Sequence, residues 1–66
     1  MRFVMIETKY FGEIAINVNS VTSLHQRDEG VVLYLPGDNP IITLFTDIQH
    51  AVDYLQRAPS VSLGEA

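Results

Sequence analysis

Ile14, Ile16 and Val18 are spaced two apart, with Glu13 before them and Ala15 and Asn17 between them, so residues 13–18 put their branched side chains on one face. That is the pattern of a half-buried strand. Residues 2–9, rich in Phe, Val and Ile, read as the strand before it. Tyr10-Phe11-Gly12 supplies the turn of this hairpin, because Gly12 can take positive φ. Asn19-Ser20 is turn chemistry: both side chains can bond nearby backbone. Val21 to Gln26 is a weaker strand with only Val21 and Leu24 clearly apolar, and that odd spacing implies a bulge or a short helical turn.

After the polar turn Arg27-Asp28-Glu29-Gly30, the pattern changes. Val31–Leu35 is the strongest strand of the chain, Pro36–Pro40 is a loop bracketed by prolines, and Ile41–Phe45 is the return strand. The period then becomes helical: Ile48, Ala51, Val52 and Leu55 share a face, with Tyr54 beside them. Thr46-Asp47-Ile48-Gln49 matches a capping box, with Thr46 as N-cap and Gln49 reaching back to it. Asp47 and Arg57 complement the two ends of the helix dipole, Asp53 and Arg57 form an i,i+4 pair, and Pro59 ends the helix near Arg57. The expectation is a single α+β domain over residues 1–58, an antiparallel β-meander of about five strands closed by one C-terminal helix. A small, partly open barrel is its alternative form. Residues 59–66 read as a mobile tail.

The central hairpin decides what kind of object this is. Of the ten positions in 31–35 and 41–45, nine are apolar or aromatic, and Thr43 is the exception. A strand apolar at every position has both faces covered, yet one short helix can cover only one face. Either the sheet curls on itself, or another chain covers the second face. Val32, Tyr34, Ile42 and Leu44 form one apolar set, and Val31, Leu33, Leu35, Ile41 and Phe45 the other; the pattern leaves open which lies under the helix. Tyr10 and Phe11 are unusual at a hairpin tip and suit an interface anchor. The candidate interface is therefore Tyr10, Phe11, Val32, Tyr34, Ile42 and Leu44.

Size sharpens this expectation. A chain of 66 residues without cysteine has neither disulfides nor thiolate zinc sites as staples. Self-association, as a dimer or larger homo-oligomer, is the expected substitute, with a larger protein partner as the second choice. The net charge of −4 and four scattered basic residues argue against nucleic acid. No run approaches the ~20 apolar residues of a membrane span, and the N-terminus is too short for a signal-peptide core. The reading is cytoplasmic.

Constellations that could carry chemistry are weak. Ser20, Ser23, His25 and Asp28 hold the ingredients of a triad without a nucleophile elbow. Asp47, His50 and Asp53 could share a helix flank and take a metal, but they also fit a plain solvent stripe. No glycine pattern cradles phosphate. The chain is read as non-catalytic, with no cofactor and no metal.

The order strand, turn, strand, Ile16-Asn17-Val18-Asn19-Ser20-Val21, strand, glycine, strand, turn, strand, short helix resembles the small bacterial flagellar-operon proteins of the FlbD/SwrD type, over Met5 to Leu55. The resemblance implies two hydrophobic hairpins and a closing helix, and it carries over no site residues. The function expected is a small non-catalytic protein-binding module. A transcription-linked regulator contacting nucleic acid or its machinery is the alternative.

Overall fold

The computed structural model describes residues 2–62. Its strands are β1 (Phe3–Thr8), β2 (Gly12–Asn17), β3 (Ser23–Arg27), β4 (Gly30–Tyr34) and β5 (Ile41–Ile42), followed by helix α1 (Ile48–Arg57). The expected α+β class with a C-terminal helix is found. All pairing is antiparallel, in two sheets, β1-β2 and β3-β4-β5, and they do not close into a barrel.

The first hairpin forms where alternation predicts it, with Val4 opposite Ile16 and Ile6 opposite Ile14. Gly12 takes φ +70° at the end of the turn, and Thr8 Oγ1 ties the turn by donating to Gly12 O (2.7 Å) and accepting from Phe11 N (3.0 Å). The turn expected at Asn19-Ser20 is a 3₁₀ turn, Val18–Ser20, capped by Asn17 Oδ1 accepting from Asn19 N at 3.0 Å, and the weaker strand expected from Val21 begins only at Ser23. That turn carries the chain away from β2, so β2 and β3 are not neighbours.

The second half departs from the expected return strand. Pairing with β4 is regular only through Ile42; residues 43–45 keep bonds to Val31 of β4 and also bond β1, which makes this stretch the crossing between the two sheets. Thr43 is the pivot. It is fully buried, its N–H and Oγ1 both donate to Val31 O (2.9 and 2.7 Å), and Oγ1 accepts from Phe45 N at 3.2 Å. Val31 N then reaches past it to Phe45 O at 2.9 Å. This bulge turns Leu44 N toward Glu7 O (3.0 Å), while Lys9 N reaches Ile42 O (2.9 Å) around a Thr8–Thr43 bridge. The strands therefore run spatially β2, β1, β5, β4, β3. Gly30, at φ +134°, permits the crossing: a Cβ there would lie 2.8 Å from Thr43 O and 3.0 Å from Phe45 O.

Polar contacts from distant strands fix the helix at both ends. Its N-cap is Asp47 rather than Thr46, with Asp47 Oδ2 accepting from His50 N at 2.9 Å. Gln26 of β3 does what the expected Gln49 box would have done: its Oε1 accepts from Ile48 N (2.8 Å) and its Nε2 donates to Thr46 O (2.9 Å). Thr46 is thereby held outside the helix. At the other end Arg2 donates from its guanidinium to Leu55 O (2.6 Å) and Ala58 O, two carbonyls that a helix end leaves unpaired. The Asp53–Arg57 pair forms as expected, at 2.7 Å on the exposed face.

The open question of the two apolar sets is answered. Leu33, 1% exposed, joins Val4, Ile6, Ile16, Leu55 and Ala58 in the core, and Leu35, Ile41 and Phe45 pack against it. The Val31 set thus faces the helix side, and Val32, Tyr34, Ile42 and Leu44 point the other way. Of the expected tail, Val61 is half-buried and donates to Phe3 O at 2.9 Å; residues 63–66 lie outside the described residues. No helix among the described residues is long and apolar enough to cross a membrane.

Candidate functional site

The large apolar side chains left exposed are Tyr10 (69%), Phe11 (68%) and Leu44 (55%). The bonds of residues 43–45 to β1 set Leu44 toward the end of β1 that leads into the hairpin tip. Tyr10 and Phe11 follow Thr8 at the hairpin tip, and Leu44 is held beside Glu7 by the bridge at Thr8. Lys9 Nζ lies 5.5 Å from the centre of the Tyr10 ring. Next to Leu44 an open cleft of ≈ 290 Å³ is lined by Met5, Ile6, Glu7, Glu13, Phe45 and Tyr54. Glu7 and Glu13 are directly opposed across β1 and β2 and both exposed, an arrangement that costs stability because like charges face each other.

The other expected interface residues are distributed differently. Val32 is 5% exposed, flanked on its own rung by His25 and Ile42, so its side chain has almost no free surface. Tyr34 is half-buried, with its ring 4.7 Å from that of His25 and its hydroxyl 3.5 Å from Arg27 Nη2. Ile42 is half-buried between β4 and the crossing. Of the six, Tyr10 and Phe11 at the hairpin tip and Leu44 beside Glu7 are well exposed, whereas Val32, Tyr34 and Ile42 are buried or half-buried.

The weak chemical constellations do not assemble. Ser23 Oγ and His25 Nε2 are 3.1 Å apart on an exposed rung, while Asp28 sits in the following turn, outside that pair. Asp47 is engaged as the helix cap, His50 packs 5.8 Å from the Phe45 ring, and Asp53 pairs with Arg57. Among the described residues no three His, Cys, Asp or Glu side chains converge as a metal site would require.

One feature escaped the hydrophobic pattern: the backbone edges. In an antiparallel ladder alternate residues bond across and the others point away. Val18 N donates to Arg2 O, whereas Val61 N and Leu44 N reach Phe3 O and Glu7 O from the opposite side. The backbone groups of odd-numbered β1 residues thus face away from β2, and those of their partners Glu13, Ala15 and Asn17 face away from β1. The N–H groups of all three and the C=O groups of Glu13 and Ala15 point outward along the β2 edge without a partner among the described residues, while the Asn17 C=O, at the N-cap, closes the first bond of the 3₁₀ turn. The sequence signal was present in the absence of Lys, Pro or a bulge signal from Gly12 to Asn17. No protein-family model, curated protein or solved structure matches this chain.

Proposed function

We propose that this chain is a small, non-catalytic protein-binding module that acts first by self-association and, through the same surface, by binding a larger protein. What supports the reading is the exposure of Tyr10, Phe11 and Leu44 on so small a fold. Two adjacent aromatic rings about two-thirds exposed are an uneconomical hairpin tip for an isolated chain, and aromatic side chains are the commonest anchors of protein interfaces. The cleft beside them is lined by two carboxylates and no base, so a partner presenting a cation next to an apolar group fits it.

Sedimentation equilibrium tests the proposal. The wild-type chain is expected above monomer mass at micromolar concentration. A Tyr10→Ser/Phe11→Ser variant is expected to shift toward the monomer with its unfolding midpoint nearly unchanged, since exposed positions contribute within about 0.5 kcal/mol of stability. A wild-type monomer across the whole concentration range, with an ordinary thermal transition, would overturn self-association.

A further inference from the structure

We infer that the partner surface for self-association is the outer edge of β2, paired antiparallel with the β2 edge of a second copy about a two-fold axis at Ala15. The inference rests on the self-association reading above and specifies its geometry.

Three observations carry it. First, β2 is an edge strand six residues long with outward N–H groups at Glu13, Ala15 and Asn17 and outward C=O groups at Glu13 and Ala15, and it carries no Lys, no Pro and no bulge, Glu13 being its one charge. A two-fold pairing that engages all three of these residues has one register, centred on Ala15. Glu13 then faces Asn17 of the second copy, Ala15 faces Ala15, and Asn17 faces Glu13. Isologous contacts require this self-complementarity.

Second, the facing side chains suit one another. Asn17 Oδ1 is occupied by Asn19 N at 3.0 Å, which leaves the carboxamide N–H groups to donate. The group placed opposite them is the exposed Glu13 carboxylate, an acceptor. Registers that set Glu13 against Glu13 would place like charges face to face, which is unfavourable. The small side chain of Ala15 sits at the axis, where two identical residues meet. On the other face Ile14 and Ile16 would meet Ile16 and Ile14 and lengthen the apolar layer already built on β1.

Third, the same register accounts for the aromatic tip. It brings Gly12 opposite Val18 and Phe11 opposite Asn19, so the exposed Phe11 ring lies against the half-buried Val18 turn of the second copy. The opposite edge of the molecule offers no such match: β3 turns out only Leu24 and Gln26, and the Gln26 side chain is already committed to the start of the helix.

Substitutions on the edge test this without disturbing the β1 ladder. Ala15→Lys puts two ammonium groups at the axis and is expected to raise the dimer dissociation constant by about 30-fold or more. Asn17→Asp keeps the acceptor for Asn19 N but opposes a carboxylate to Glu13, and is expected to weaken association about 10-fold. Glu13→Lys added to Asn17→Asp converts that repulsion into an ion pair and is expected to restore association. Sedimentation equilibrium reads all of these, with far-UV circular dichroism confirming the fold of each variant. A wild-type dimer that Ala15→Lys and Asn17→Asp leave intact would overturn this interface while leaving self-association standing. A wild-type monomer would overturn both.

Discussion

The two outer edges of this molecule are finished in different ways. At β3 the fold covers itself: Gln26 reaches from the strand to Thr46 O and Ile48 N, the helix starts against that edge, and the strand presents polar and charged side chains. At β2 the N–H groups of Glu13, Ala15 and Asn17 bond nothing among the described residues, and the adjoining tip exposes two aromatic rings. A chain with only one helix can finish one edge. The lesson is that the helix is used twice, as a lid for the core and as a cover for β3, and that β2 lies beyond its reach.

This contrast can be broken most severely where the two halves join. Gly30→Ala forces a Cβ into the carbonyls of Thr43 and Phe45 at a backbone angle that L residues avoid. It is expected to cost about 3 kcal/mol, read as a large fall in the thermal midpoint, because the bulge through which residues 43–45 bond both β4 and β1 cannot form. Next comes the covered edge. Gln26→Ala removes the acceptor for Ile48 N and the donor to Thr46 O and is expected to destabilise by about 1 kcal/mol. It should leave association unchanged, the inverse of the result expected for Ala15→Lys. A denaturation curve and a sedimentation run on both variants separate the two edges. The smallest effect is a gain: Glu7→Gln relieves the opposition of Glu7 and Glu13 and is expected to stabilise by about 0.5 kcal/mol in chemical denaturation.

Much of the fold was legible because it depends on local periodicity. Ile14 and Ile16, the glycine turns and the spacing of Ile48, Ala51 and Leu55 each predict an element that the structure contains. The cap was misplaced because Thr46 and Asp47 both satisfy a local capping rule. Gln26, twenty residues earlier in sequence, settles between them by holding Thr46 O outside the helix. Likewise, Thr43 stood out as the polar exception in the central hairpin, but its role depends on Gly30, Val31 and Thr8 meeting around it. Val32 read as an exposed contact because alternation puts it opposite the helix, whereas its neighbours His25 and Ile42 cover it. Of the candidate interface, Tyr10 and Phe11 stand out in the sequence as aromatic residues at a hairpin tip and Leu44 only as one of an apolar set, and all three are exposed. The β2 edge was not, since hydrophobic patterns record side chains and an edge consists of backbone groups.

Amide hydrogen exchange, followed residue by residue at low and high protein concentration, tests this asymmetry most directly. If a second copy completes the β2 edge, the amides of Glu13, Ala15 and Asn17 gain about 10-fold or more protection as concentration rises from about 1 µM to about 200 µM. Leu24 and Gln26 exchange at the same rate throughout. Fast exchange at Glu13, Ala15 and Asn17 at every concentration, in a sample that sediments as a dimer, would contradict the account.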